Sequence, residues 1–397
     1  MEDVGVHTHR IKTLHCRITF SGGLDEPLDD AGNPNKMVSD FRTSSDALET
    51  LFLYRSVIRD IPETLRFGIV PDNPKTLRTL ELRKVPLTIQ LTQLTTVTNF
   101  VYSHPHVRSE PLLDFFAANA SLEDVTVECI NISGQPNRHL VPLQNLRQLS
   151  LKIGHTVQIL LEHLQLPSAS RIDLLMNSFA EGKLLRELLP SSLHGLPGIA
   201  NTTLLHCRFT SEFHLVLIGS NLDRGSFTVR GHPTQLFAGN PIDVRPLDLG
   251  TIRQLVLSSR TGSPVGMWSR LRQSIQKMTA VETLVVGSRI SLHDLPPALE
   301  DEDLFQKLSA ITLVTPPLND IPSFVSSILA RIKTRCSRRI KFLEVLCSPF
   351  DREYLVETIK RPLEGYVGSV EIKAIQDADE VWIESIRRTI DRDGFFR

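Results

Sequence analysis

Leu77-Arg-Thr-Leu80-Glu-Leu82 sets apolar residues at offsets of three and then two, and nearly the same phrase recurs along the chain. Toward the N-terminus it reads Ile11-Lys-Thr-Leu14-His-Cys16 and Leu48-Glu-Thr-Leu51-Phe-Leu53. Leu122-Glu-Asp-Val125-Thr-Val127 and Leu146-Arg-Gln-Leu149-Ser-Leu151 follow. The second half carries copies that begin at Ile252, Val281, Leu308, Ile340 and Val367, and weaker versions begin at Val97 and Ala169. Phrase starts lie roughly 20 to 37 residues apart, mostly near 27, a period that belongs to stacked structural repeats.

A short strand with one buried face explains the phrase. The second and third apolar positions are two residues apart, so both side chains leave the same side of a strand. The first apolar residue turns the chain into that strand and packs beneath it. One such strand cannot bury its face alone, so the copies must stack into a continuous core. Between the strands lie helical patterns: Glu110 to Asn119 with Pro111 in its first turn, His155 to Leu164, Met267 to Lys277 and Ile321 to Arg331. Strand plus helix in each unit predicts an α/β solenoid of about a dozen repeats, a curved parallel sheet inside and helices outside. A single solenoid is expected over residues 1–397, with three irregular places. Residues 21–46, rich in Gly, Pro, Asn and Asp, read as an exposed loop or disordered insert. The repeats falter over 190–250, where Phe213–Ile218 and Ser226–Arg230 read as a β-hairpin. Residues 377–397 read as a capping helix and tail, with Ile383, Ile386 and Ile390 on one stripe.

A formal net charge of −1 gives the chain no general attraction to nucleic acid or an acidic membrane surface. No apolar run approaches the roughly 18 residues of a membrane-spanning helix. The N-terminus has neither the basic nor the apolar region of a secretory leader, so an intracellular protein, cytoplasmic or nuclear, is expected. Cys16, Cys129, Cys207, Cys336 and Cys347 are scattered without metal-ligand spacing and read as reduced, packed thiols. The glycosylation patterns at Asn119, Asn131 and Asn201 are then chance matches.

Candidate chemistry is sparse. His7-Thr-His9 and His104-Pro-His106 each supply half a metal site and lack a third ligand at a suitable spacing. The basic run from Arg331 to Lys341 could meet phosphates, but it spans a helix end and the loop after it, where cations suit the helix dipole. No phosphate loop, nucleophile elbow or zinc-protease motif occurs. No catalytic residue, metal site or cofactor is therefore expected. The competing enzyme reading places a site in 190–250, among His194, His206, His214, His232 and Asp243.

What is left is the strand face opposite the core. Residues flanking the apolar pair point there: Phe52 and Tyr54, Glu81 and Arg83, Thr126 and Glu128, Ser150 and Lys152, Phe342 and Glu344, Glu371 and Lys373. Aromatic residues on an otherwise polar face suit a protein partner. The binding surface is expected on the concave side of the N-terminal half, at Phe52, Tyr54, Glu81, Arg83, Glu128 and Lys152.

With these phrases the chain resembles the ribonuclease-inhibitor-like leucine-rich repeat proteins, and more closely the divergent F-box/leucine-rich repeat proteins of mushroom-forming fungi. The stretch Leu112 to Val125, a helix ending in an Ala/Asn/Ser turn before the next strand, carries the same likeness. The resemblance implies a non-catalytic module that selects a protein partner, such as a ubiquitination substrate, and that is monomeric on its own. It also implies an N-terminal F-box that docks on a ubiquitin-ligase adaptor. Residues 1–47 hold a strand phrase and a polar loop instead, and both tryptophans, Trp268 and Trp382, lie far downstream. The docking half is thus expected to be missing, through truncation or loss, and an adaptor partner would require a cryptic F-box. The asparagine that follows the strand in such repeats is replaced by Ser56, Val85, Ile130, Gly154, Arg260 and Arg289, which predicts an irregular curve.

Overall fold

The computed structural model describes residues 12–18, 47–55, 75–87, 89–136, 140–176, 189–211, 214–221, 225–231, 247–259, 267–287, 289–292, 295, 299, 304–334 and 340–375. The fold is α/β with mostly parallel strands. It divides into two compact units, one comprising Met1–Asn177 with His194–Leu196 and the other Ser178–Leu193 with Pro197–Arg397.

The first unit contains β1 (Thr13–Ile18), β2 (Thr50–Arg55), β3 (Thr79–Arg83), β4 (Asn99–Ser103), β5 (His106–Arg108), β6 (Asp124–Ser133), β7 (Val141–Pro142), β8 (Gln148–His155), β9 (Leu164–Gln165) and β10 (Arg171–Met176). Strands β1, β2, β3, β4, β6, β8 and β10 pair in that order, every pair parallel. Each is one copy of the phrase, and the register puts equivalent residues side by side. Leu51, Leu80, Phe100, Val125, Leu149 and Ile172 form one row; Leu53, Leu82, Tyr102, Val127, Leu151 and Leu174 form the next. All twelve side chains are buried. The first apolar positions, Leu48, Leu77, Val97, Leu122 and Leu146, are buried as well.

Polar bonds tie each repeat to the one before. The carbonyl just ahead of a strand accepts two amide protons from the following repeat: Glu49 O from Arg78 and Thr79, Arg78 O from Thr98 and Asn99, Thr98 O from Glu123 and Asp124. A hydroxyl directly before the first apolar residue adds a third bond. Thr76 donates to Leu48 O at 2.9 Å, Thr96 to Leu77 O at 2.8 Å and Ser121 to Val97 O at 3.2 Å. These hydroxyls link the repeats at the opposite end of the strand from the absent asparagines. Where one of those would stand, Val85 is simply buried and Ile130 is exposed.

Helix α1 (Ile89–Thr92) is short, whereas α2 (Ser109–Ala118) buries Leu112, Leu113, Phe115 and Phe116. The Phe115 ring lies 4.2 Å from that of Phe100, so α2 packs on the buried side of the sheet. Its C-cap, Asn119, is fully buried: Oδ1 accepts from Val97 N at 3.0 Å, and Nδ2 donates to Leu94 O and Phe115 O. That amide is a structural clasp and is inaccessible to glycosylation. The helix expected over 155–164 shrinks to α3 (Val157–Leu161), because Leu164-Gln165 pairs with Val141-Pro142 as a short parallel ladder.

The second unit contains β11 (Leu204–Ser211), β12 (His214–Ser220), β13 (Ser226–Gly231), β14 (Gln254–Ser259), β15 (Thr283–Val286), β16 (Ala310–Val314), β17 (Phe342–Cys347) and β18 (Ser369–Ala374). Strands β14 to β18 pair in sequence order and in parallel, again one phrase per strand. Thr251 repeats the hydroxyl bond, donating to Thr202 O at 2.8 Å. The expected hairpin is present: β12 runs antiparallel to β13, and also to β11, which in turn pairs in parallel with β14. Gly219 is required there, since a Cβ would meet Phe227 of the facing strand at 2.0 Å.

Following α4 (Pro197–Ala200), α5 (Met267–Lys277) and α6 (Ile321–Thr334) occupy the helical patterns read from sequence. In α6, Ile321, Phe324, Ile328 and Arg331 share one buried stripe. Arg331 therefore does not belong to a surface basic run. It is 1% exposed, and its guanidinium donates to Leu299 O at 2.8 Å and to Phe305 O. The loop of 21–46, the tail of 377–397 and residues 335–339 of the basic run lie outside the described residues.

Candidate interaction face

The register that buries the leucines also gathers the residues between them on the other side of the sheet. In the first unit His15, Phe52, Glu81, Val101, Thr126, Ser150 and Asp173 stand in one row. Two residues further along each strand, Tyr54, Arg83, Ser103, Glu128 and Lys152 make a second row. All six residues expected at a binding surface thus fall on one face of one sheet, in two adjacent rows, and none is buried.

One end of this face is aromatic. His15 stacks on Phe52 with ring centroids 4.1 Å apart and planes 18° from parallel, and Tyr54 beside them is 39% exposed. On β3, Glu81 and Arg83 pair with each other, and on β10 Arg171 pairs with Asp173 at 3.2 Å. Glu128 and Lys152 stand directly opposite one another across β6 and β8, and neither is held in an ion pair by another described residue. Beside these charges the face is short and neutral: Val101, Ser103, Thr126 and Ser150.

The corresponding face of the second unit is different. An open polar face was expected in every repeat, yet His206, Val256, Val285 and Thr312, which form the equivalent row, are all buried. Val256, Val285, Val314 and Leu346 form an apolar cluster there, and Ile375 packs against it. The β-branched valines read as strand formers, and nothing in the phrase distinguishes a strand covered on one face from one covered on both. The face opens again at β17 and β18, where Lys373 bonds Glu344 and Glu371, each at 2.7 Å. Those two hydrogen bonds, Glu344 first, hold the Lys373 ammonium above its usual range.

From the 190–250 segment, His206 meets a hydroxyl on β14. His206 Nε2 lies 2.8 Å from Ser258 Oγ, a nucleophile–base distance. Both residues are buried, at 5% and 6% exposure. Burial, then the nearby Arg208 charge, push the His206 imidazole down to about 3. A base of that strength withdraws no proton at neutral pH. The pair is a satisfied core contact. His232 and Asp243 lie outside the described residues, as do His7 and His9. His104 turns its Nδ1 to the backbone of His106, and no group of three metal-ligating side chains occurs among the described residues. Burial pushes the Cys129 and Cys207 thiols up to about 12, so both behave as small apolar groups. No helix among the described residues is long and apolar enough to cross a membrane. No protein-family model matches this sequence, and no curated protein is significantly similar to it.

Proposed function

We propose that the chain is a leucine-rich repeat solenoid acting as a non-catalytic protein-interaction module, similar to the substrate-recognition half of an F-box ubiquitin-ligase subunit and working inside the cell. The observation that carries this reading is the alignment of Phe52, Tyr54, Glu81, Arg83, Glu128 and Lys152 in two rows on one sheet face, none of them buried. Aromatic anchors beside charges of both signs are the composition of a protein contact rather than of a polyanion site. The period of the phrase and the parallel pairing of successive copies support the solenoid.

Affinity purification from cells, with mass spectrometry of the retained proteins, tests this reading. A protein retained by the natural chain and lost from Phe52→Ala supports it. Recovery of an F-box adaptor would add the ligase role. A preparation that retains no protein, or retains the same proteins after Phe52→Ala, contradicts it.

A further inference from the structure

We propose that the open face of the first unit receives a single amphipathic α-helix laid across its strands. This inference rests on the reading of that face as a protein-binding surface. Dimensions select the occupant. From Tyr54 on β2 to Lys152 on β8 there are four strand steps of about 4.8 Å, or about 19 Å. The three outward-facing positions of one strand, such as Thr79, Glu81 and Arg83 on β3, span about 13 Å, close to the 10–12 Å diameter of a helix with its side chains. Such a strip is smaller than the roughly 800 Å² per partner of a standard interface between folded domains.

The pitch also matches. A helix advances about 5.4 Å per turn, and an axis inclined by about 27° to the row direction projects that advance onto the 4.8 Å strand spacing. Successive turns then meet successive strands. The charge sequence along the row dictates the chemistry of the helix. It carries a large apolar residue over Phe52 and Tyr54, then a neutral polar residue over the Glu81–Arg83 ion pair. A small residue follows over Val101 and Ser103, then a base over Glu128 and an acid over Lys152. Each lies three or four residues from the last, which is the spacing that places side chains on one helix face.

The probe is a synthetic helical peptide of about 18 residues with this pattern, titrated against the full chain by fluorescence anisotropy. Binding is expected, and Lys152→Glu should weaken it about tenfold. Replacing the last peptide acid with lysine should restore the affinity for Lys152→Glu to within about threefold. Lys152→Met, which carries no repulsive charge, should bind the original peptide with intermediate strength. Equal binding of a peptide with every charge reversed overturns the inference, as does stronger binding of a proline-interrupted peptide of the same composition. If no peptide binds while cellular proteins are still lost on Phe52→Ala, the helix is wrong and the interaction face stands. If neither is seen, both fail.

Discussion

Phe52 and Leu51 are consecutive residues of one strand, and they meet opposite fates: Leu51 is fully buried, while Phe52 lies on the open face with His15 stacked on its ring. The alternation follows from the pleat, which sends successive side chains to opposite faces. It makes the two positions a matched pair for experiment. Leu51→Ala should cost about 2 to 5 kcal/mol of stability, because the core closes only partly over the cavity. Phe52→Ala should cost under about 1.5 kcal/mol, the scale of an aromatic pair. Chemical denaturation of the two variants measures both, and equal losses would mean that the faces of this strand are assigned wrongly.

Histidine 206 predicts a pH dependence. Its imidazole is pushed to about 3 in the fold, whereas the unfolded chain binds the proton near 6.5. Between those values the unfolded state holds the extra proton. The contribution is therefore complete above pH 6.5 and is lost as pH falls toward 3, by up to about 1.4 kcal/mol per unit. His206→Gln should remove this component. An unchanged slope of stability against pH between 6.5 and 4.5 in that variant would contradict the buried, neutral imidazole.

The hydroxyl bonds between repeats are individually modest. Thr96→Val keeps the shape and leaves Leu77 O without this donor, which should cost about 1 kcal/mol. Thr98→Val, whose hydroxyl bond at 3.2 Å is exposed, should cost less. Thermal unfolding of the two variants side by side checks the ranking.

Arg331 should behave as a core residue. Arg331→Ala removes two charge-assisted bonds and leaves the carbonyls of Leu299 and Phe305 without them, for an expected loss of about 2 to 4 kcal/mol. Lys333 is exposed on the same helix, and Lys333→Ala should change stability by less than about 0.5 kcal/mol. Similar melting temperatures for the two variants would return Arg331 to the surface.

Much of this structure was legible in the sequence because the phrase obeys a strict geometric rule. Offsets of three and two fixed which leucines are buried, and with them which residues share the opposite face. The same offsets place Phe52, Tyr54 and Lys152 on that opposite face. The turns between repeats were less readable. The hydroxyls of Thr76, Thr96, Ser121 and Thr251 each precede the first apolar residue of a phrase, a signal that was present but is masked by the frequency of Ser and Thr in turns. Asn119 matched a modification motif, and only its three hydrogen bonds mark it as a clasp. The closed face around Val256, Val285 and Val314 could not be read, because burial on a second side depends on what packs there and leaves the repeating phrase unchanged.

Recognition on the first unit's open face, as proposed, is checked by a quantitative binding comparison. A protein retained from cells would be titrated against the natural chain, the double variant Tyr54→Ala/Lys152→Glu and the control Phe350→Ala. Phe350 is 94% exposed and lies in the second unit. Loss of an aromatic anchor and reversal of a facing charge should together weaken binding at least about thirtyfold, with the melting temperature held and the control unchanged. A natively folded double variant that binds as tightly as the natural chain would place recognition somewhere other than this face.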